Sequence, residues 1–179
     1  MPEIEIRPAV TADIPLLVKI DHSYQTIYVW QMDRIIEEGQ LSVNFREIRL
    51  PRSVRVDYPY NPKDLSSEWN QQSAILIACM EAIPVGYVRV KEQVLPSSAW
   101  ISDLVVRPDL RRKGIATGLL LAAQDWAFQH HWKRVVIEMQ SKNFPAIRLS
   151  MKMGYEFCGY HDHYYSNQDI ALFFARGIH

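Results

Sequence analysis

Apolar and polar residues alternate over Ile4–Arg7, the pattern of a short half-buried strand, and Pro8 closes it. Thr11 and Asp13 are good helix N-caps ahead of Ile14, Leu16, Leu17, Val18 and Ile20, which predict a first helix. The stretch Thr26–Glu38 predicts a second helix stopped by Gly39, with Tyr24, Tyr28 and Trp30 at near-helical spacing on one side. Leu41–Tyr58 reads as a hairpin around Pro51, and Pro59–Ser73 as a turn-rich segment marked by Asn61-Pro62 and Asp64. Ala74–Met80 and Val85–Val94 predict an antiparallel pair, and Ser98–Val106 another strand ended by Pro108.

Gly114–Gln129 carries Ile115, Leu119, Ala122, Ala123 and Trp126 at spacings of three and four, the stripe of an amphipathic helix. Arg134–Met139 is nearly continuous in apolar residues, as expected of a central strand buried on both faces. A shorter helix follows over Phe144–Met153, with Gly154 in the C′ position, and Tyr155–Tyr160 and Ile170–Arg176 read as closing strands. Strand, helix, strand, helix over Ser98–Met153 is a right-handed crossover between parallel strands. The remaining strands read as antiparallel, so the expected architecture is a mixed sheet with helices on its faces.

A length of 179 residues suits one domain, 1–179, in which the stretch at about 40–73 is longer than a connection requires. With 48% hydrophobic and 22% charged residues the composition is globular rather than disordered. Twenty basic residues cancel twenty acidic ones, so no global field favours nucleic acid or an anionic membrane. Cys79 and Cys158 make neither a disulfide framework nor a metal-ligand spacing, which gives a reduced, cytoplasmic setting as the expectation and no metal. The amino terminus lacks the basic-then-apolar pattern of a secretory signal. The longest apolar runs, such as Leu119–Ala123, fall well below the ~18 residues of a membrane helix.

The chemistry is concentrated where a strand ends, a basic loop follows and the long helix begins at a glycine. Arg107, Arg111, Arg112 and Lys113 oppose the single Asp109, and the free amides of a helix start form an anion site. Gly114 permits close backbone approach and Ala116 is small, so a polyphosphate is the expected ligand. A Walker loop needs Gly-Lys-Ser/Thr after a glycine-rich span, whereas Lys113 precedes the glycine here. A dinucleotide fingerprint needs three spaced glycines, which are absent.

Arg111-x-x-Gly114-x-Ala116 resembles the phosphate loop of the GNAT superfamily of acetyl-coenzyme A-dependent N-acetyltransferases. Asn143, Ala146, Leu149, Ser150, Lys152, Gly154 and Tyr155 follow that family's second motif, so the resemblance runs over Ala99–Tyr160. It implies a GNAT-like α/β (α+β) fold, with a central mixed sheet of about six to seven strands, helices on both faces and a parallel pair splayed into a cofactor cleft. It also implies acetyl-CoA as cosubstrate, held by Leu104, Val105, Val106, Arg111, Arg112, Lys113, Gly114, Ile115, Ala116, Thr117, Asn143 and Ala146. Pantetheine amides would extend the ladder along Leu104–Val106, and Asn143 would meet pantetheine, cap its helix, or do both.

The implied reaction moves an acetyl group from a thioester to a primary amine, whose pKa near ~10.4 demands loss of a proton before attack. A backbone N–H at Val105 or Val106 would stabilise the oxyanion. The family's tyrosine acid is replaced by Ser150, leaving the thiolate to depart unassisted or with a proton from Tyr155, Tyr160 or Tyr164; Tyr155 also reads as core packing. The family's base positions hold Trp100 and Ser102. Asp103 is adjacent, but strand alternation turns it to the opposite face unless a bulge intervenes; Glu138, His161 and His163 are further titratable candidates. Asp103, Ser150 and Tyr155 are therefore the catalytic candidates.

Tyr24, Tyr28 and Trp30 form either a core face or an aromatic wall on the acceptor side for a cationic amine. Tyr58, Tyr60 and Trp69 would cover the cleft as a lid. His161-Asp162-His163 reads as a polar strand end rather than a metal site. The closing stretch Tyr164–Ala175 is similar to streptothricin-type antibiotic acetyltransferases, without assigning a substrate. The expected function is transfer of acetyl from acetyl-CoA to a small-molecule amine. The alternatives are a non-catalytic acyl-CoA sensor or a protein, peptide or ribosome-associated acetyltransferase. No nucleic-acid or membrane partner is expected, and a homodimer stays open.

Overall fold

In chain order, β1 (Ile4–Pro8) leads through a 3-10 turn into α1 (Ile14–Val18), then β2 (Tyr24–Glu37), β3 (Gln40–Val56), α2 (Asp64–Glu68), β4 (Ser73–Met80), β5 (Ile83–Leu95) and β6 (Ser98–Val106). After a second 3-10 turn come α3 (Ile115–Gln129), β7 (Arg134–Gln140), α4 (Phe144–Lys152), β8 (Glu156–His161) and β9 (Ala171–Gly177). The structure, a computed structural model, describes residues 2–69 and 73–179. Residues 70–72 of the expected turn-rich segment thus lie outside the described residues.

Seven strands form one sheet in the order β1-β4-β5-β6-β7-β9-β8. β6 and β7 pair in parallel through the α3 crossover, and the other neighbours are antiparallel. This is the mixed α/β (α+β) sheet expected. α3 buries Ile115, Leu119, Leu120, Ala123 and Ala127 on one face, and Ile147 of α4 joins the same core. α1 and α2 cover the other face, where Ile14, Leu17 and Leu65 pack on Ile75, Ile77, Tyr87 and Val105. The sheet is thereby buried on both sides where β5, β6 and β7 run through its centre.

The N-terminal third differs from the expectation. Thr26–Glu38 is not a helix but most of β2, paired with β3 in a separate two-stranded sheet from Tyr24↔Val56 to Glu37↔Gln40. Tyr24, Thr26, Tyr28, Trp30 and Met32 fall at every second position, and aromatic and β-branched residues favour a pleated surface. The same residues fit a helical spacing loosely, and a long cross-strand partner decides between the two. The stretch expected as a hairpin, Leu41–Tyr58, is likewise one long strand as far as Val56. Pro51, which lacks a ladder N–H, sits in a bulge where the register jumps from Tyr28↔Arg49 to Thr26↔Val54. The hairpin turns at residues 38–39 instead.

Candidate active site

β6 and β7 pair from Ser98↔Arg134 to Ile101↔Ile137 and then part. Beyond that point Asp103–Val106 stays bonded to β5, and Glu138–Gln140 to β9. The facing edges of the two strands are left unpaired with each other, a V whose backbone groups can take an extended ligand. Gly86 holds the first arm in place: a Cβ there would lie 2.7 Å from the Val105 carbonyl oxygen. Only glycine lets β5 approach β6 so closely at this point.

The open end of the V meets the start of α3. Gly114 is its N-cap, with φ +86 and no side-chain capping bond. The amides of Ile115, Ala116 and Thr117 lie in the first turn, where no i−4 carbonyl is available within a helix. Arg112 also has positive φ, 65, and both Arg112 and Lys113 are exposed. The four basic residues of the loop do different work. Arg107 pairs with Asp109 at 2.7 Å. Arg111 turns inward, donating from Nε to the Val106 carbonyl at 2.8 Å and from Nη2 to the Asp21 carbonyl at 3.1 Å. It ties the loop to the end of β6 and to the segment before β2, leaving Arg112 and Lys113 as the cations that face outward.

On β6 the register slips at Ser102. Arg89 opposes Asp103 and Val90 opposes Ile101, so Ser102 is the extra residue of a bulge. Trp100, Asp103 and Val105 oppose Lys91, Arg89 and Tyr87 and share their face, whereas Ile101, Leu104 and Val106 turn to the α3 side. Asp103 is buried, and the Ser102 hydroxyl donates to its Oδ2 at 2.6 Å. Burial, and then the neighbouring Glu138 charge, push the Asp103 carboxyl up to about 8.

Glu138, the first residue of β7 beyond the paired segment, is buried within a ring of donors. Trp100 Nε1 donates to it at 3.1 Å, the Tyr60 hydroxyl at 2.9 Å and the Tyr165 hydroxyl at 3.3 Å. Burial raises its pKa, while the Trp100 and Tyr60 hydrogen bonds and the Lys91 charge oppose that rise. Lys91 Nζ lies 5.8 Å from the Tyr60 ring centre. Tyr164, raised by burial to about 12, completes the aromatic side. A third buried pair lies nearby: His22 contacts the Ile20 carbonyl through Nδ1 at 2.6 Å and Tyr87 Oη through Nε2 at 2.9 Å. A carbonyl only accepts, so Nδ1 carries the proton and Tyr87 donates to Nε2. Burial lowers the His22 pKa and keeps the ring neutral.

The second motif is placed as follows. Asn143 caps α4, its Oδ1 accepting from the Ala146 amide at 3.2 Å, which leaves its own N–H donors available beside β7. Ser150 is buried and donates its hydroxyl to the Ala146 carbonyl at 2.8 Å. Tyr155 lies in the main core and accepts from Gln124 Nε2 at 2.9 Å. Tyr160 packs on Phe45. Ser150 and Tyr155 thus bond to Ala146 and Gln124, and neither bonds to Asp103 or Glu138 among the described residues. The hairpin aromatics dock that hairpin on the far arm of the V: Tyr24 donates to Gln140 Oε1 at 2.9 Å, Tyr28 packs on Phe144, and the Trp30 amide bonds the Ser141 carbonyl at 2.9 Å. His161 bonds the Asp162 carbonyl and packs edge-on against Tyr164, 5.5 Å between ring centres, and His163 lies against the Asp162 carboxylate.

The sequence reading did not bring Trp100, Tyr60 and Glu138 together, nor give His22, Tyr87 and Arg89 a role. A buried-strand pattern carrying one Glu, at Glu138 within β7, was the available signal.

Residues 43–155 match the model of the Acetyltransferase (GNAT) family. A streptothricin acetyltransferase of Streptomyces lavendulae is 36% identical over 160 residues, 87% of this chain and 82% of its own length. Streptothricin acetyltransferase A of Bacillus subtilis (strain 168) is 26% identical over 133 residues, 72% of this chain and 76% of its own. Among solved structures, a nourseothricin acetyltransferase superposes with a TM-score of 0.82 at 20% identity, over 98% of this chain and 99% of that one. A Bacillus anthracis str. Ames protein in complex with acetyl coenzyme A gives 0.77 at 19% identity, over 98% and 100%. At these identities the structures establish a common fold.

Proposed function

The chain belongs to the GNAT family of acetyltransferases, and on that premise we propose that it carries acetyl from acetyl-coenzyme A to a primary amine of a small cationic molecule of the streptothricin kind. The observation that carries the reading is the parting of β6 and β7 after Ile101 and Ile137, next to the uncapped first turn of α3. A diphosphate suits the amides of Ile115, Ala116 and Thr117 with Gly114 bare beneath them, and Arg112 and Lys113 add positive charge. The unpaired edge along Leu104–Val106 suits the amides of a pantetheine arm, and the Asn143 side-chain N–H donors suit a carbonyl on it. When bound, the thioester supplies the activated acyl carbon.

The chain's own part is to admit an ammonium, remove its proton and hold the amine in place. Asp103 is suited to the proton: its carboxylate form is a stronger base than an exposed Asp because burial and Glu138 disfavour its charge. Glu138, with Tyr60, Trp100 and Tyr165 around it, supplies negative charge and aromatic faces, the usual recognition set for a cationic amine. The Ser150 hydroxyl donates to the Ala146 carbonyl, and a thiolate with a pKa near ~8.5 departs without an acid. The names of the two relatives support streptothricin as the first acceptor to try. Free thiol released from acetyl-CoA on adding streptothricin, with one acetyl gained by the antibiotic in mass spectrometry, is the expected result. Tight acetyl-CoA binding with no thiol release from any primary amine would overturn the acceptor assignment.

A further inference from the structure

Gln140 is the last residue of β7, only 2% exposed, and lies two positions beyond Glu138 on the same face of the strand. Its side-chain amide spans two partners that are far apart in the chain. Nε2 donates to Asp169 Oδ2 at 2.8 Å, and Oε1 accepts from the Tyr24 hydroxyl at 2.9 Å. A carboxylate only accepts, so the amide has one orientation and the Tyr24 proton must point at its oxygen. The run Tyr24–Gln140–Asp169 therefore has a fixed polarity from end to end.

Asp169 fastens this run to the loop that carries Tyr164 and Tyr165. Its backbone carbonyl accepts from the amides of Tyr164 at 3.1 Å and Tyr165 at 3.3 Å, and its own amide donates to Asn167 Oδ1 at 2.9 Å. The loop is thus closed on Asp169. The Asp169 carboxylate, 13% exposed, ties the closed loop across to β7. Besides Gln140 it takes Lys142 Nζ at 2.7 Å and, from within the loop, Asn167 Nδ2 at 3.1 Å. What the loop delivers is the buried Tyr165, whose hydroxyl lies 3.3 Å from Glu138 Oε2. The Tyr165 ring also meets that of Tyr60, a second donor to Glu138, at 5.4 Å between centres. Side chains on a loop are only as well placed as the contacts that anchor it, and a buried, fully paired network anchors well.

We infer that Asp169 and Gln140 are positioning residues for the amine acceptor: they set the Tyr165 hydroxyl against Glu138 and bind Tyr24 of the hairpin into the same arrangement. They act through Tyr165 and Glu138 rather than on the reacting atoms. The inference rests on the reading above, in which Glu138 and its aromatic donors recognise the amine, and adds the residues that keep those donors in register. Disturbing the network should loosen the amine and leave acetyl-CoA binding at the start of α3 as it was.

The polarity of the network supplies the test. Gln140→Glu sets carboxylate against carboxylate, and Asp169→Asn sets an amide N–H against Gln140 or Lys142, which are donors themselves. In each single variant KM for streptothricin should rise about tenfold, with kcat within about threefold and acetyl-CoA affinity by calorimetry within about twofold. The double variant Gln140→Glu/Asp169→Asn exchanges the two groups. The amide at position 169 then donates to the carboxylate at 140, its oxygen accepts from Lys142, and Tyr24 still has an acceptor. Its KM should return to within about threefold of wild type. A lower melting temperature with KM unchanged, or acetyl-CoA affinity falling together with that for the amine, makes the network a support of the fold alone and overturns the inference. A double variant as impaired as the two singles combined overturns it as well. Tyr24→Phe removes one hydroxyl and keeps both Gln140 and Asp169, so it decides the matter if a single variant does not fold. Its KM should rise about threefold, and an unchanged KM overturns the inference. A wild-type protein that binds acetyl-CoA but acetylates no amine overturns the acceptor reading and this inference with it.

Discussion

Asp103 and Trp100 project from the same face of β6 although they are three positions apart, because Ser102 has no partner on β5. In an unbroken strand Asp103 would point to the α3 side with Ile101, opposite to Trp100. The bulge instead brings a carboxyl beside the Glu138 cage, one strand away from the unpaired edge of β7. One inserted residue thus decides which face of the sheet carries the Asp103 carboxyl.

Asp103→Asn keeps the shape and can still accept from Ser102, but it cannot take a proton. We expect kcat to fall by about 10²–10⁴-fold, with acetyl-CoA affinity unchanged. The wild-type rate should rise with pH and level off through about 8, where the Asp103 carboxyl ionises. Steady-state rates across pH 6–9 check this. A variant with the same rising limb at about 8 would assign the ionisation to another group.

The same shift predicts a pH dependence of stability. A carboxyl raised from its ordinary value of 3.8 to about 8 holds its proton more tightly in the folded chain. The folded state binds more protons over that window, so its contribution to stability is complete at low pH and declines as pH rises towards 8. Asp103→Asn has no such proton to lose. Its melting temperature should match that of wild type near pH 4 and exceed it near pH 8, by about 2–4 °C for each kcal/mol recovered. Thermal melts at the two pH values measure it.

Much of the C-terminal half was legible because its signals are local. Period-3.6 apolar spacing marks α3, a continuous apolar run marks β7, and the loop from Arg111 to Ala116 announces an anion site at the junction. What stayed hidden depends on partners distant in sequence. Tyr24, Tyr28 and Trp30 suit either period over so short a span, and only pairing with β3 makes them a strand. The bulge at Ser102 is a property of two strands together, invisible in either alone. Arg111 read as a phosphate cation, and no local signal showed that its Nε and Nη2 also bond carbonyls at Val106 and Asp21, one of them 90 residues away.

Ser150→Ala removes a hydroxyl that donates to the Ala146 carbonyl, within its own helix. That carbonyl keeps its helical bond, so little stability is at stake. Turnover should fall less than tenfold. A loss near a thousandfold in steady-state kinetics would give this hydroxyl a chemical role.

Arg111 and the Arg112–Lys113 pair should separate by their salt dependence. Arg111→Ala breaks two bonds that anchor the loop, so it should lower the melting temperature and weaken acetyl-CoA to a similar degree at all ionic strengths. Arg111→Lys should not rescue it, since an ammonium lacks the planar fork that spans two carbonyls. The double variant Arg112→Ala/Lys113→Ala should melt like wild type and lose about tenfold in affinity at low salt, a difference that shrinks near 0.5 M salt as screening removes exposed charge. Calorimetric titrations at two salt concentrations distinguish the two patterns.

Gly114 offers the sharpest test of the anion site, because two substitutions there act oppositely on fold and ligand. A Cβ at Gly114 meets nothing within 4 Å, so the penalty for Ala is conformational, about 1–2 kcal/mol for φ +86. Gly114→Ala should therefore destabilise the start of α3 and weaken acetyl-CoA modestly. Gly114→Asp carries the same backbone penalty but adds a carboxylate at the N-cap, where it can accept from the first-turn amides and offset part of the loss. Those amides are then occupied by the protein's own anion, and a diphosphate meets like charge in their place. The Asp variant should melt at or above the Ala variant yet bind acetyl-CoA about 100-fold or more weaker than wild type. Calorimetry and thermal melts on the two variants give the comparison, and equal affinities for Ala and Asp would remove the α3 amides from the cofactor site.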